Sequence, residues 1–510
     1  MKIKVGKYYL DKEQTKIVLD ESRHLLVVAG AGSGKTLTIL GKLKYLIEEK
    51  GVNPKEIICI SFTSKASEDL KKKIKEDLSL DVDVYTFHKL ALSILKNRES
   101  YDIADVNLLE DIIREYMRND SLKNRETLNP ILKYFNLKTK KDYLRFLKEN
   151  ENEISSLERL LSTFIHLFKA NNYTLEDFIK FKTRALLTFD IKKYKREKIL
   201  LTLAVTIYLR YMNYLEENRE IDFDDMLAKA KLAVDKDGVF HKIKYIIIDE
   251  YQDTSAVRFE LVRSILNKTD AKLIAVGDDF QSIYRFTGCD LSLFLDFKTF
   301  FPDGKILKIQ NTYRNSQQLI TVAGHFVMKN KEQMKKKLRS EKNVEKPIVI
   351  HKYIYPKNAL TKLIYSIYDE HPGNIMIIGR NNRDIEFYID KEKFKIDGEK
   401  IISFECPEIP IRYLTVHKSK GLESDNVILI NLCDDTLGFP NQMQDDQILR
   451  FVSPHSSRYP FDEERRLFYV ALTRTKNKVY LLVPKKNKSI FVRELTKDYG
   501  NFIEYKNRAD

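Results

Sequence analysis

Short apolar runs rich in β-branched residues punctuate the chain at 25–29, 57–62, 245–249, 272–276, 375–378, 427–432 and 478–483. Segments with helical spacing of polar and apolar positions separate them. That alternation predicts α/β layers built on parallel sheets. Residues 93–221 break the pattern: strand signals fade, Lys, Glu, Leu and Tyr dominate, and a helical insertion into the first α/β unit is expected. No fixed-period repeat or low-complexity linker interrupts the chain. No uncharged apolar run reaches the roughly 18 residues that suggest a membrane-spanning helix. The N-terminal stretch MKIKVGKYYLDKEQ lacks the apolar core of a signal peptide, so a cytoplasmic location is expected.

The length of 510 residues suggests about three to four domains. Four cysteines, Cys59, Cys289, Cys406 and Cys433, lie far apart without zinc or redox spacing, and are read as reduced core thiols. The 89 basic residues outnumber the 74 acidic ones, a net charge of +15. Such an excess suits a polyanionic partner, because Lys and Arg that neutralise phosphates release condensed counterions. A Lys-rich coding bias gives the same balance, so charge alone leaves that partner open.

Two segments carry sharper chemistry. Residues 25–36 read LLVVAGAGSGKT: an apolar strand, then Ala29-Gly30-Ala31-Gly32-Ser33-Gly34-Lys35-Thr36, then a helix. Glycines let backbone N–H groups curl around a phosphate, and the helix N-terminus adds partial positive charge. Lys35 would reach the β- and γ-phosphates of ATP, and the Thr36 hydroxyl would ligate Mg²⁺. Residues 245–255 read YIIIDEYQDTS, which places two carboxylates at a strand's C-terminal end. Asp249 would complete the Mg²⁺ shell, and Glu250 would orient and deprotonate an attacking water.

With these residues in place, the sequence resembles superfamily 1 helicases of the UvrD/Rep type. The motifs run in family order: Leu10-Asp11-Lys12-Glu13-Gln14, the phosphate loop, Ser61-Phe62-Thr63-Ser64-Lys65-Ala66, and Tyr85-Thr86-Phe87-His88. Then come Asp249-Glu250-Tyr251-Gln252-Asp253, residues 277–286, Asn311-Thr312-Tyr313-Arg314, residues 414–423 and residues 464–474. Gly438-Phe439-Pro440, Asp445-Asp446 and Tyr459-Pro460-Phe461 look like the helicase IV branch.

The resemblance implies two RecA-like P-loop domains with parallel sheets: a first over 1–92 and 222–290, the helical insertion over 93–221, and a second over 291–510. Larger relatives place a whole domain between the positions of Arg314 and Thr415. Only 101 residues separate them here, so at most a stub near 383–412 is expected. The 36 residues after Arg474 fit a closing strand and helix rather than a nuclease. The implied activity is ATP-driven, 3′→5′ movement along single-stranded DNA with unwinding of tailed duplexes. A separate nuclease or repair protein is a possible partner.

The resemblance also implies residue roles. Gln14 would read adenine and Tyr313 would stack on it, with Gly421 and Glu423 at the ribose. Gln281 would sense the γ-phosphate, and Arg314 and Arg474 would act as arginine fingers. For DNA, Phe62, Tyr284 and Phe286 would stack on bases. Thr63, Phe87, His88, Arg380, Asn381, Thr415 and His417 would contact the strand. Ala29, Leu37, Phe286 and Thr287 depart from the usual Gly, Arg, Trp and Arg of the family pattern. Two other readings stay open: an ATP-gated DNA-binding regulatory subunit that recruits a nuclease without processive unwinding, and an RNA motor.

Overall fold

The computed structural model describes residues 3–96, 98, 101–187, 190–239, 242–453, 457 and 459–506. The first sheet comprises β1 (His24–Ala29), β2 (Ile57–Ser61), β3 (Asp83–Thr86), β4 (Tyr245–Ile248), β5 (Lys272–Gly277) and β6 (Lys305–Ile309). All its pairings are parallel, in the order β6-β1-β5-β4-β2-β3. Successive side chains of a strand point to opposite faces. Accordingly Leu26 and Val28 of β1 enter one apolar core while Leu25, Val27 and Ala29 enter the other. Burial on both faces is why the strand reads as an unbroken apolar run.

The second sheet comprises β7 (Ile348–Tyr353), β8 (Ile375–Gly379), β9 (Phe394–Asp397), β10 (Lys400–Ser403), β11 (Ile411–Thr415), β12 (Asn426–Leu429), β13 (Val479–Pro484) and β14 (Ile503–Lys506). Its order is β9-β10-β11-β8-β12-β13-β7-β14. The central pairings are parallel, and the hairpin β9–β10 adds antiparallel strands at one edge. Helices cover both faces of each sheet, so the chain contains two RecA-like α/β domains.

Between Ile103 and Glu220 the described residues form six α-helices: Leu108–Arg118, Arg125–Tyr134, Lys140–Glu149, Glu151–Ala170, Leu175–Leu186 and Ile191–Glu217. They share a separate apolar core that includes Ile113, Phe164, Phe168 and Leu201. A two-residue parallel pair, Asp102–Ile103 with Glu220–Ile221, ties the two ends of this insertion together.

Three features differ from the sequence reading. The expected boundary at 290 moves, because β6 pairs with β1 and carries the first sheet to Ile309. β6 is a half-exposed edge strand, so Lys305 and Lys308 interrupt its apolar signal. The tail adds a second strand, β14, after the expected closing strand and helix. Finally, Ile448, Leu449, Phe451 and Val452 of the second domain are buried in the core of the helical insertion.

Candidate active site and nucleic-acid interface

β1 ends at Ala29, and the loop Gly30–Gly34 delivers the chain to the helix Lys35–Lys44. Gly32 and Gly34 take left-handed φ values of +69° and +79°, which disfavour any side chain. Crowding is a second reason for glycine. A Cβ on Gly30 would lie 2.6 Å from Leu338, and one on Gly32 would lie 2.4 Å from Arg314. The segment after β6 presses on the loop from outside: Thr312 Oγ1 donates to the Ala31 carbonyl at 2.7 Å, and Tyr313 N–H donates to the Gly32 carbonyl at 2.9 Å.

β4 aims Asp249 and Glu250 at the same place. Lys35 Nζ meets Glu250 Oε1 at 2.5 Å, and Gln252 Nε2 donates to Glu250 Oε2 at 2.5 Å. Glu250 holds a left-handed φ of +53°, a strained state for a residue with a side chain and one that clusters at functional sites. Burial raises the proton affinity of both carboxylates. At Glu250 the ammonium groups of Lys35 and Lys420 overcome it and hold the pKa low. At Asp249 burial and the neighbouring Glu250 win, and the pKa is raised. Among the described residues no group of three or more His, Cys, Asp or Glu is clustered as a metal cage. The Asp249 carboxylate and the Thr36 hydroxyl, on segments joined by the Lys35–Glu250 contact, are nevertheless fitting oxygen donors for Mg²⁺, which keeps waters and nucleotide oxygens in its shell.

The second domain closes the site from the other side. Gln281 sits on a short turn after β5, and its Nε2 donates to Asp278 Oδ2 at 2.6 Å. Arg474 Nη2 donates to Gln281 Oε1 at 3.2 Å. Arg474 is only 1% exposed, and burial, then the nearby Arg314, pull its pKa down to about 9. It therefore stays charged at neutral pH. Arg314 Nε donates to Glu423 Oε2 at 2.9 Å, and Lys476 lies 3.3 Å from the other Glu423 oxygen. Arg314 and Glu423 thus hold each other. Gly421 has φ +81° and open space around it.

At Gln14 the arrangement departs from expectation. Gln14 is buried, and both halves of its amide are engaged: Oε1 accepts from Asp11 N–H at 3.0 Å and Nε2 donates to the Ser33 carbonyl at 3.1 Å. The first bond belongs to a capping box that starts the helix Lys12–Leu19. Here Gln14 fastens the helix to the phosphate loop rather than offering a free amide. Tyr313 is exposed, and its hydroxyl donates to Asp11 Oδ2 at 2.7 Å.

A row of rings crosses the junction between the two domains. Phe62 and Tyr284 stack with centroids 5.3 Å apart and planes 14° apart. Tyr284 continues to Phe286 at 6.1 Å and to His417 at 6.0 Å, and its hydroxyl donates to the His417 carbonyl at 3.2 Å. Phe286 is 60% exposed, a large apolar face left open beside polar neighbours. Thr63 is exposed and caps the helix Ser64–Leu78. His88 packs edge-on against Phe223 at 5.1 Å.

Four expected DNA contacts are otherwise engaged. Phe87 is 3% exposed and belongs to the core of the first domain. The buried Thr415 hydroxyl caps the turn Val416–Ser419. Arg380 is clasped by Glu464 through bonds of 2.7 and 2.9 Å. The Asn381 amide donates to the Leu437 carbonyl at 3.0 Å and to Asp384 at 3.2 Å.

Residues outside the expected set also belong here. Lys420 pairs with Asp253 and donates to the Gln281 carbonyl at 2.7 Å, bridging the domains. Arg258 lies 4.8 Å from the Phe62 ring centre. Lys336 pairs with Asp278 and Asp279. Lys420 stood within a recognised motif, but Arg258 and Lys336 carried no local signal, since only folding brings them near.

Comparison with known proteins agrees with this geometry. Residues 10–302 match the model of the UvrD/REP helicase N-terminal domain, and residues 395–486 match that of the UvrD-like helicase C-terminal domain. DNA helicase IV of Escherichia coli (strain K12) is 28% identical over 511 residues, which cover 95% of this chain and 70% of that protein. A probable DNA helicase of Mycoplasma pneumoniae is 26% identical over 497 residues, 93% of this chain and 83% of that protein. The ATP-dependent DNA helicase PcrA of Staphylococcus epidermidis is 28% identical over 337 residues, 64% of this chain and 41% of that protein.

Proposed function

Since the chain belongs to the UvrD/REP helicase family, we propose that it is an ATP-dependent DNA helicase that moves 3′→5′ along single-stranded DNA. The observation that carries this reading is the convergence of both domains on one cleft. Lys35 and Glu250 of the first domain touch at 2.5 Å, and Arg474 of the second reaches Gln281 at 3.2 Å.

The chemistry follows from the groups in that cleft. Lys35 and the loop N–H groups bind the phosphates, and Thr36 and Asp249 would hold Mg²⁺, which supplies positive charge to the phosphate oxygens. Lys35 must leave Glu250 to reach a γ-phosphate. Its departure removes one of the two ammonium charges that keep Glu250 acidic, leaving Lys420, so the carboxylate gains proton affinity where a water attacks. Arg474 and Arg314 place guanidinium charge on the transferring group, and Gln281, which accepts from Arg474 at 3.2 Å, senses the γ-phosphate. Tyr313 stacks on adenine, and Glu423 accepts from the ribose once Arg314 releases it. Opening and closing of the cleft changes the spacing between His417 of the second domain and Phe62, Tyr284 and Phe286 of the first, aromatic faces that grip bases without regard to sequence.

Lys35→Ala should lower single-stranded-DNA-stimulated ATP hydrolysis by about 10²-fold or more, the scale of losing one preorganised electrostatic contact. Hydrolysis retained in that variant rejects the site. Polarity is read from duplexes with a 3′ or a 5′ tail, and preferential unwinding of the 5′-tailed substrate rejects the assigned direction.

A further inference from the structure

We propose that Lys336 is a positioning residue for the hydrolysis step: through Asp278 it fixes which end of the Gln281 amide faces Arg474. This inference rests on the reading of function above.

Asp278 and Asp279 follow β5 directly, and both side chains are fully buried. Two adjacent carboxylates without water need a counter-charge. Lys336 supplies it: its ammonium meets both carboxylates, is 2% exposed, and lies 3.8 Å from the Phe280 ring centre. The remaining bonds of the pair are assigned. Asp278 Oδ1 accepts from Phe280 N–H at 3.2 Å, and Asp279 Oδ2 accepts from Met334 N–H at 2.8 Å.

That leaves Asp278 Oδ2 for Gln281 Nε2 at 2.6 Å. An ionised carboxylate only accepts, so the amide must present its NH₂ to Asp278 and its carbonyl oxygen to Arg474, at 3.2 Å. Reversing the amide would set its NH₂ against a guanidinium and its oxygen against a carboxylate. Lys336 thereby acts on the reacting end through two intermediates, Asp278 and Gln281.

The lysine's location gives this a mechanical sense. It lies on the connection that follows the second-domain helix Gln317–Val327 and returns to pack Leu338 against Gly30 of the phosphate loop. Displacement of the second domain therefore moves the counter-charge as well as the arginines.

The test compares Lys336→Met, Asp279→Asn and the double variant with wild type. Lys336→Met leaves two adjacent buried carboxylates without their counter-charge, and their repulsion displaces Asp278 from the Gln281 amide. Its kcat should fall about thirtyfold with the KM for ATP held within about twofold, the split of an interaction made at the reacting end. The double variant leaves a single carboxylate and should recover at least about tenfold of that loss. A lysine needed only for stability would lower the melting temperature but leave the kcat of the folded protein unchanged. A double variant as slow as Lys336→Met, or Lys336→Met with wild-type kcat, overturns the assignment. If Lys336→Met does not fold, Lys336→Gln in the Asp279→Asn background takes its place, and it must turn over within about threefold of Asp279→Asn. A second readout needs no turnover. The Gln281 side-chain amide resonance, identified by its loss in Gln281→Glu, should shift in Lys336→Met and return in the double variant. That arm separates failure of this assignment from failure of the helicase reading.

Discussion

The strap from the second domain into the helical insertion gives a prediction that can be worked from its geometry. Arg450 donates to Glu197 through bonds of 2.5 and 2.8 Å, and Arg196 meets Asp446 through bonds of 2.5 and 3.0 Å. Asn171 adds a bond to the Val452 carbonyl at 3.1 Å, and Phe451 packs on Phe181 at 5.5 Å. Arg450→Ala removes two charge-assisted bonds and leaves the Glu197 carboxylate, 2% exposed, without its partner. Truncating one member of a buried charged pair costs about 3–5 kcal/mol. Arg450 itself is 39% exposed, so water screens the pair and about 2 kcal/mol is the appropriate scale. That is about a thirtyfold shift in the ratio of docked to undocked strap. The docked strap holds its own amides: Leu449 N–H donates to the Asp446 carbonyl at 2.9 Å and Ser453 N–H to the Leu449 carbonyl at 2.7 Å. Hydrogen exchange at these amides should therefore quicken about thirtyfold if they exchange through undocking. The swapped pair Glu197→Arg/Arg450→Glu should restore most of the protection. Unchanged exchange in Arg450→Ala, or a swap that exchanges as fast as the single variant, refutes the reasoning.

Three further predictions concern the ring row and its neighbours. Phe286→Ala should weaken single-stranded DNA binding by about 1–3 kcal/mol without lowering the melting temperature, because the ring is mostly exposed. Phe87→Ala should do the reverse, costing about 3–5 kcal/mol of stability; loss of DNA affinity with unchanged melting would return Phe87 to the interface. Burial, then Arg258 beside His88 and Arg380 beside His417, lower both imidazoles to about 4. A depressed histidine takes its proton only below that value, so both rings are neutral from pH 6 to pH 8. The slope of log Kd against log salt for single-stranded DNA should match at those two pH values. A steeper slope at pH 6 would reveal a protonated histidine on a phosphate.

Much of this protein was legible in its sequence because the deciding physics is local. The run LLVVAGAGSGKT dictates a buried strand, a loop that only glycine permits and a helix N-terminus. YIIIDE dictates a strand that ends on two carboxylates. Those elements stand where the periodicity put them, and the family motifs gave their order. The helical insertion was visible as a change of period between two α/β stretches. Tertiary structure decided what depends on partners distant in sequence. Edge strand β6 was hidden because an edge does not need two apolar faces, and it moved the domain boundary. Phe87 and Phe286 are the same side chain in similar motif company, yet one fills a core and the other is open to solvent. Gln14, Arg380, Asn381 and Thr415 were motif residues whose polar groups proved to be held by neighbours. Lys336 and the burial of residues 448–452 in the helical core carried no signal at all. A buried charge acquires meaning only from the opposite charge that folding sets against it, and no local pattern records that pairing.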